Sequence, residues 1–372
     1  MNVFYPIGAL YPSQLGGPNN TIYWMAKALV KVGVGVTIVT THRGIKSDAG
    51  ITFNKWIDLG YGRIKYLRVI HRLIPLRIYI NSLNPLRKTD VVHLTSLFYS
   101  GSLILALTAL MFRKRVIWSV RGELTSSALK YNTVFKRLIL AVIGRIKSFI
   151  IFHGTSEDEI ELIKIRFGPN TRTVHVPNYM ELPDLRARSK SGKYLLFLGR
   201  IHEIKAIDHL IKALYLSKRF RVSSYKLMII GDDDNVHARK LKKLVKGLDL
   251  NTKVKFIGYI DDELEKQKFL SRAHFLVLPS HSENFGNVII ESLAQGTPVI
   301  ASMGTPWKSL QIERAGFWVD NSPESLAKAI DASIEMNEEC YQGYRKKALE
   351  IVKRDYCIDR NVFRWKEIYE NA

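Results

Sequence analysis

FLVLPSHSENFGNVIIESLAQGTPVIA, residues 275–301, contains the clearest succession of structural signals in the second half of the chain. Its opening apolar run is stopped by Pro279 and Ser280, as expected of a buried strand. A polar turn then begins a helix at about Val288, and a Gly-Thr-Pro turn ends that helix before the next apolar run. The stretch therefore predicts a strand, a loop, a helix and a strand in succession, which is the repeating pattern of an α/β sheet.

Two carboxylates lie in this stretch, Glu283 in the loop and Glu291 in the helix. The start of a helix beside a glycine-containing loop binds anions, because its first backbone N–H groups have no partner within the helix. A carboxylate next to such a site suits hydroxyl groups, such as those of a sugar. For isolated glutamates the alternative is that Glu291 pairs with a helix neighbour and Glu283 caps the turn.

Short apolar runs alternate with amphipathic stretches along the whole chain. In the first half, a Gly16–Gly17 loop separates the first strand from a helix that runs to Gly33. The spacing of these glycines does not match G-x-G-x-x-G, and a tight turn is an alternative to phosphate contact. The predicted strands cover residues 2–6, 34–40, 91–94, 116–120 and 174–178, and then 194–200, 226–231, 254–258, 275–280 and 299–301. The predicted helices of the second half include 208–220, 237–248 and 261–270.

A polar, charged segment at 181–193 separates the two alternating halves and is the predicted linker. We therefore predict an α/β fold of two doubly wound, Rossmann-like domains that face each other across a cleft. The predicted domains are residues 1–180 and 181–355, and residues 356–372 form a helix that crosses back to the first domain.

The net charge of +22 is uneven, since residues 1–180 contain 24 Lys and Arg against 8 Asp and Glu. An anionic membrane, a phosphorylated acceptor, nucleic acid or a solubilising surface charge could each account for a basic first half. The stretch 134–149 mixes Lys and Arg with apolar residues, and could lie on a membrane or pack on the core with a solvated basic face. Without a helix-turn-helix, a zinc finger or an aromatic RNA platform, nucleic acid is not the predicted partner.

The sequence also bears on where the protein works. Its first residues lack the basic start and long apolar core of a signal peptide. The longest apolar run, residues 103–112, is shorter than the roughly 20 residues that span a bilayer. Cys340 and Cys357 have no metal-site spacing and suit a reducing compartment. We expect a cytoplasmic protein, peripheral on the inner face of the cell membrane.

Charged residues follow two other predicted strands of the second half. Arg200 and Lys205 flank a loop at a strand end, where two cations could bind a diphosphate or could simply form a solvated loop. Residues 232–234 are three consecutive aspartates, for which a polar turn is preferred over a metal site. Because Arg200 and Lys205 would neutralise the phosphates, we expect neither a metal nor another cofactor.

Taken together, these motifs resemble those of the retaining glycosyltransferases of family 4, the large group 1 set with the GT-B fold. The resemblance is strongest over roughly residues 194–330 and weaker over the first 180. It depends on the E-x7-E spacing in SENFGNVIIE combined with the R-x4-K spacing of Arg200 and Lys205. Supporting segments are ESLAQGTPVIAS, FLGRIHEIKAIDHLIKAL, LMIIGDDD, TSEDE and VPNY.

The resemblance implies a role for each of these residues. Glu283 would contact the donor sugar near the reacting carbon, and Arg200 and Lys205 would bind the diphosphate. Glu291 would bind the ribose hydroxyls. The loop and helix start would bind the sugar or phosphate through backbone amides, and a neighbouring strand end would receive the base. These further donor-binding positions are Asn284, Phe285, Gly286, Asn287 and Val288, then Gly258, Tyr259 and Ile260 for the base.

Two positions depart from the family pattern. Many members have a histidine at the strand end where this sequence has Arg121. Arginine stays protonated, so Arg121 would stabilise charge or bind a phosphate of the acceptor, with Glu123 as a second acceptor-side candidate. The first glycine loop reads GGPNN in place of the usual motif, and Gly16 and Gly17 are kept as candidates for donor binding.

The function that the resemblance implies is metal-independent transfer of a sugar, with retention, from a UDP- or GDP-sugar. The acceptor would be a glycan or a lipid-linked saccharide in the synthesis of lipopolysaccharide, capsule or exopolysaccharide. One alternative is a sugar-nucleotide epimerase of the same fold. Others are a non-catalytic, membrane-docked binder of sugar nucleotides and, less favoured, a basic nucleic-acid-binding protein.

Overall fold

The computed structural model of the chain describes residues 1–13, 17–46, 49–69, 76–99, 101–130, 133–183 and 192–372. These residues divide into two compact units. Unit 1 is Met1–Glu181 together with Ile358–Ala372, and unit 2 is Leu182–Cys357. Of the predicted linker, residues 184–191 lie outside the described residues.

The described residues of unit 1 form an eight-stranded sheet in the order β3-β4-β2-β1-β5-β6-β7-β8. Every neighbouring pair is parallel except β3 with β4. The strands are β1 (Asn2–Pro6), β2 (Gly35–Thr41), β3 (Trp56–Leu59), β4 (Gly62–Leu67), β5 (Val91–Thr95), β6 (Arg115–Ser119), β7 (Ile150–Gly154) and β8 (Thr173–His175). The helices are α1 (Gly17–Lys31), α2 (Leu76–Lys88), α3 (Ser102–Met111), α4 (Ser126–Leu129), α5 (Thr133–Ile146), continued by a 3-10 turn at Lys147–Phe149, and α6 (Glu157–Phe167).

The described residues of unit 2 form a six-stranded parallel sheet in the order β11-β10-β9-β12-β13-β14. The strands are β9 (Tyr194–Leu198), β10 (Lys226–Ile230), β11 (Val254–Gly258), β12 (Phe275–Leu278), β13 (Val299–Ser302) and β14 (Gly316–Val319). The helices are α7 (Ile207–Leu216), preceded by a 3-10 turn at Glu203–Lys205, α8 (Lys218–Val222), α9 (Val236–Gly247), α10 (Glu263–Arg272), α11 (Asn287–Ala294), α12 (Ser309–Ile312), α13 (Pro323–Glu335) and α14 (Glu338–Ile351), continued by a π-helical turn at Val352–Tyr356.

The last helix, α15 (Ile358–Asn371), belongs to unit 1. It packs beside α1 on one face of the sheet of unit 1, where Met25, Val362 and Trp365 are part of one buried core. Helices α2, α3, α5 and α6 cover the other face around a second core. Because the central strands β1, β5, β6 and β7 are buried on both faces, they appear in the sequence as nearly continuous apolar runs.

The prediction of two Rossmann-like parallel α/β domains is confirmed by both sheets. The predicted helix over 208–220 is wrong in one respect, because it is two helices. Ser217 has extended backbone between them, and its hydroxyl accepts a hydrogen bond from Phe220 N to cap α8. A side-chain cap of this kind favours a new helix start over continuation of the old helix.

Candidate functional site

The sheet of unit 2 has a switch point between β9 and β12. The chain passes outward from β9 through β10 to β11, then returns to place β12 on the other side of β9. The loops after β9 and β12 therefore leave adjacent strands at the same carboxyl edge and diverge, which is where open α/β sheets bind ligands. The first loop carries Lys205 and the second carries Glu283.

Lys205 and Glu283 form an ion pair at this switch point, with Lys205 Nζ donating to Glu283 Oε1. Their side chains are 14% and 13% exposed, so the pair is largely removed from water. Ser280 Oγ donates to the same carboxylate oxygen at 2.8 Å. The structure thus brings together two predicted site residues, and fixes the orientation of the Glu283 carboxylate.

Backbone contacts hold the Glu283 loop against its neighbours. Glu283 N donates to Gly304 O at 2.8 Å, and His281 N donates to Ile204 O at 2.8 Å. Gly304 is a position of close approach, because an added Cβ would lie 2.5 Å from Ser280 O and 2.4 Å from His281 O. Only glycine fits there without displacing the loop. Gly304 was not among the predicted site residues, although the second Gly-Thr-Pro turn of the sequence, at 304–306 just after β13, was a signal for it.

The far end of the same loop leads into α11. Phe285 O accepts a hydrogen bond from Trp307 Nε1 at 2.5 Å, and the two rings pack edge to face at 5.2 Å between centroids. Gly286 follows with φ of 82°, a left-handed conformation that favours glycine, and Asn287 begins the helix. The first N–H groups of α11, at Asn287 and Val288, are donors of the type that binds anions at a helix start.

Glu291 lies in the second turn of α11. Burial raises the pKa of its carboxyl to about 7, while the charge of Lys266 acts to lower it and that of Glu263 to raise it further. Lys266 forms its ion pair with Glu263, which belongs to the same helix, α10. A carboxyl in this setting titrates near neutral pH and gains from hydroxyl donors, which would replace the water it has lost.

Arg200 lies two residues beyond the end of β9 and is exposed. The proposed base-binding positions end β11, where Gly258 has φ of 88°, Tyr259 is exposed and Ile260 is buried. Strand β11 is two strands from β9, which is about 10 Å at the usual spacing. The candidate donor residues thus follow one edge of the sheet over a distance that an extended nucleotide can cover.

The aspartates at 232–234 form a turn that is satisfied by the protein itself. Asp234 N donates to Asp232 Oδ1 at 3.2 Å, and Asp233 pairs with Lys242 at 2.6 Å. Across the residues that the structure describes, no group of three or more His, Cys, Asp or Glu side chains is placed to hold a metal ion. In the same described part of the chain, no helix is long and apolar enough to cross a bilayer.

The acceptor-side candidates lie in unit 1, in the turn after β6. Arg121 has φ of 58°, and its Nη1 donates to Asn178 Oδ1 at 2.9 Å. The carboxylate of Glu123 accepts from Ser96 Oγ at 2.6 Å, from Phe98 N at 3.1 Å and from Leu97 N, so it caps the turn after β5. Burial raises the pKa of Glu123. Of the two, Arg121 is the one with a buried side-chain N–H, at Nε, that has no partner among the described residues.

Of the two glycines predicted to lie near the donor, Gly17 is the first residue of α1. Gly16 lies outside the described residues.

Several curated proteins are similar in sequence to part of this chain. An uncharacterized glycosyltransferase of Methanocaldococcus jannaschii is 35% identical over 37% of this chain and 35% of its own length. The lipopolysaccharide core biosynthesis glycosyltransferase LpsE of Rhizobium meliloti is 34% identical over 38% of this chain and 40% of its own. The D-inositol 3-phosphate glycosyltransferase of Kineococcus radiotolerans is 30% identical over 40% and 38%. The chain thus matches about two fifths or less of the length of these relatives.

Solved structures resemble the chain over its whole length. Sucrose-phosphate synthase from Thermosynechococcus elongatus has a TM-score of 0.76 at 19% identity, covering 100% of this chain and 98% of that one. Anabaena HepE, solved with UDP and glucose, has a TM-score of 0.78 at 15% identity, with both chains covered fully. Likeness at these identities establishes the fold, and the predicted GT-B fold class is confirmed.

The sequence of unit 2 carries the more specific likeness. Residues 182–350 match the family model described as glycosyl transferases group 1. Arg200, Lys205, Glu283 and Glu291 all lie within the matched segment. The predicted resemblance to group 1 glycosyl transferases is therefore confirmed for the unit that contains the switch-point site.

Proposed function

We propose that this protein is a glycosyltransferase that moves a sugar from a nucleotide-sugar donor to an acceptor. The observation that carries the proposal is the Lys205–Glu283 ion pair at the switch point of a unit that matches group 1 glycosyl transferases. A UDP-sugar or GDP-sugar is the proposed donor. The binding of UDP and UDP-glucose by Anabaena HepE, which has a similar fold, supports the first of these.

In the proposed donor complex, the nucleotide sugar enters between the two partners of the ion pair. The diphosphate binds to Lys205, to the exposed Arg200 and to the first N–H groups of α11. The sugar hydroxyls donate hydrogen bonds to Glu283, and the ribose hydroxyls donate to Glu291. One charge-assisted hydrogen bond is thereby exchanged for several, because Lys205, Arg200 and Glu283 each bind the donor as charged groups.

The proposed chemistry follows from where charge develops. As the bond between the sugar and the diphosphate breaks, negative charge grows on the leaving phosphate and positive charge on the sugar ring. Lys205 and Arg200 stabilise the first, and the carboxylate of Glu283 offsets the second. We propose that the acceptor hydroxyl attacks from the face that the leaving group occupies, and that its proton passes to the departing phosphate. This route gives retention and requires no separate base.

The acceptor is proposed to be a glycan or lipid-linked saccharide in the synthesis of a cell-surface polysaccharide. In support, one relative is described as a lipopolysaccharide core biosynthesis glycosyltransferase. The acceptor would bind to unit 1, where Arg121 lines a small pocket.

We propose also that unit 1 docks on the anionic inner face of the cell membrane. Packing on the core accounts for Ile139, Leu140 and Ile143 of α5, which are buried, but Val134, Phe135 and Leu138 on the same helix are 55–78% exposed. The whole helical layer formed by α2, α3, α5 and α6 shares this property. Its exposed apolar side chains are Leu76, Ile80, Ile104, Leu107, Met111, Val134, Phe135, Leu138 and Ile165.

Exposed cations lie on the same helical layer, at Arg77, Arg87, Lys88, Arg137 and Arg145. A surface that combines apolar side chains with cations suits a membrane interface, where each nearby Lys or Arg contributes about 1 kcal/mol. A nucleic-acid partner would not account for the exposed apolar side chains, so the membrane is the better-supported partner of this layer.

A thermal-shift screen of UDP- and GDP-sugars tests the proposed donor. A ligand at about 100 times its Kd should stabilise the protein by about 2.7 kcal/mol. The Lys205→Ala variant is the matched control and should lose the shift. Conversion of the donor without any acceptor would indicate the epimerase, and binding without turnover on any glycan or lipid-linked acceptor would indicate the non-catalytic binder.

A further inference from the structure

A small pocket within unit 1 contains a cation whose hydrogen bonds are incomplete. Its walls include Met25, Arg121, His153, Asn178 and Trp365. Arg121 gives one hydrogen bond to Asn178, and within the described part of the chain its buried Nε has no hydrogen-bond partner. Burial lowers the pKa of the guanidinium, although arginine stays charged. A buried donor of this kind is costly, and calls for an explanation.

The surroundings of Arg121 are held neutral by a buried chain of hydrogen bonds. Val176 O can only accept, so His153 Nε2, at 2.8 Å, must carry the ring proton. The other nitrogen, His153 Nδ1, then accepts from Ser119 Oγ at 2.7 Å. By the same logic His93 Nε2 donates to Ser119 Oγ, and Tyr369 donates to His93 Nδ1, each at 2.7 Å.

This order of donors requires both histidines to be neutral. Burial, aided by the charge of Arg121, lowers the pKa of His153 to about 3, and burial lowers that of His93 well below its ordinary value. Ser119 between two histidines resembles an activated nucleophile, but it is fully buried and serves the chain of hydrogen bonds. Arg121 is therefore the only charged group among the described residues that line the pocket.

Glu159, whose charge acts on Arg121, does not neutralise it by contact. Glu159 accepts from Thr155 N at 2.7 Å, from Thr155 Oγ1 at 3.0 Å and from Gly122 N. Its oxygens hold the backbone of the turn in which Arg121 adopts φ of 58°. For a bulky residue this backbone is uncommon, and such conformations persist at ligand-binding positions when the surroundings enforce them. The turn thus places a cation at the wall of the pocket, where Glu159 acts on its charge only from a distance.

We propose that Arg121 binds an oxyanion, a phosphate or a carboxylate, that is carried by the acceptor. The planar guanidinium offers Nε and Nη donors in a fork, which matches two oxygens of such a group. The site would restrict the acceptors to those that carry such an anionic group. This inference rests on the proposed function, since glycosyl transfer is what brings an acceptor to unit 1.

The test uses a protein without its donor-side cations, the Arg200→Ala, Lys205→Ala double variant. Methyl phosphate and glucuronate are titrated separately at constant ionic strength, and the unfolding temperature is followed. We expect a saturable rise with one of them, and a Kd at least about tenfold weaker after Arg121→Gln is added. A rise with methyl phosphate identifies the anionic group of the acceptor as a phosphate ester, and a rise with glucuronate identifies it as the carboxylate of a sugar acid. No saturable rise with either, or a rise that Arg121→Gln leaves unchanged, overturns the proposal.

A structural role for Arg121 makes a different prediction about the ligand-free protein. Arg121→Gln removes a desolvated cation with an unpartnered N–H and should keep or raise the unfolding temperature, whereas loss of a purely structural arginine would lower it. Arg121→Lys keeps the charge without the fork and should bind the anion with intermediate affinity. Nucleotide-sugar binding by the wild-type protein is measured separately, so failure of the proposed function and failure of the anion site give different results.

Discussion

Lys205 Nζ hydrogen-bonds to Glu283 Oε1 although the two residues are 78 positions apart in the chain. The pair forms because β9 and β12 are neighbours in the sheet, so their loops leave the same edge. Each partner is mostly buried, and each provides the charge that the other requires in the absence of a ligand. The proposed donor site is thus stable when empty, and its two halves become available together.

Removal of the Glu283 carboxylate should lower both activity and stability, by separate physical effects. Glu283→Ala should lower kcat/KM at least about a hundredfold, because the charge on the sugar ring is no longer offset. It should also destabilise unit 2 by up to about 3 kcal/mol, since Lys205 is left buried without a partner. Turnover with a nucleotide-sugar donor and urea unfolding measure the two effects.

The double variant Lys205→Met, Glu283→Leu is the control for this experiment. It should recover most of the stability, because two apolar side chains replace the buried pair, and should recover none of the activity. Near-normal turnover by Glu283→Ala would remove Glu283 from the proposed mechanism.

Donor affinity should depend on pH through Glu291. Burial raises the pKa of this carboxyl to about 7, and the charged form offers both oxygens as strong acceptors to the two ribose hydroxyls, whereas the neutral form does not. The Kd for the nucleotide sugar should therefore rise as pH falls below about 7, approaching tenfold per pH unit. Without ligand the sign is opposite: the raised pKa favours the protonated folded state, so the contribution of Glu291 to stability falls as pH rises through about 7.

Calorimetric titration from pH 6 to pH 8 measures this dependence. A nucleotide sugar is the right probe, because its diphosphate diester does not titrate in that range. Glu291→Gln, which cannot ionise, should bind more weakly at pH 8 and show a flat profile. A wild-type profile that matches the variant would contradict the ribose role.

The buried histidines should make unit 1 sensitive to acid. His93 and His153 are neutral in the folded state, with the pKa of each lowered by burial, and both gain a proton on unfolding below about pH 6.5. Stability is fully present above that pH and should fall by about 1.4 kcal/mol per pH unit for each histidine as pH decreases. Hydrogen exchange of β5 and β7 between pH 7.5 and 5.5 follows the loss, and His153→Gln should remove about half of the slope.

The exposed layer of unit 1 should bind anionic vesicles. Replacing Phe135 and Leu138 with glutamate adds charge where apolar side chains, 55% and 65% exposed, would enter the interface. Sedimentation with vesicles rich in anionic lipid should fall at least about tenfold. Val222→Glu in α8 of unit 2 alters a residue that is 84% exposed and should leave binding unchanged. Equal binding by the wild-type protein, the Phe135 and Leu138 variant and the Val222→Glu variant would place the membrane contact elsewhere.

Chelation of divalent metals should leave the transfer rate unchanged. The proposal assigns the charge on the leaving phosphate to Arg200 and Lys205, which EDTA does not affect. Initial rates with and without EDTA, after dialysis, provide the measurement. Loss of activity that manganese restores would move the charge-stabilising role to a metal, with the aspartate turn at 232–234 as the first place to look.

Both Rossmann-like domains could be predicted from the sequence, because strands buried on two faces appear as apolar runs separated by amphipathic stretches. The contact between Lys205 and Glu283 could not, since it depends on β12 returning beside β9. The pKa of Glu291 depends on its burial near Lys266 of α10, and the pocket at Arg121 is lined by Ile358 and Trp365 of α15. No local pattern specifies either arrangement. Ser217 shows the same limit at short range, where a single hydroxyl divides one predicted helix into two.

The terminal helix α15 has a consequence for the order in which the protein is made. Tyr369, which donates the hydrogen bond to His93, follows the whole of unit 2 in the chain. Domains fold as units and in order during synthesis, so unit 2, as one continuous segment, can form its core as soon as it leaves the ribosome. Unit 1 begins first but completes its buried hydrogen bonds last. During translation the sheet of unit 1 remains without α15 until unit 2 has been synthesised. In that interval unit 1 is more exposed than unit 2 to misfolding and to proteases.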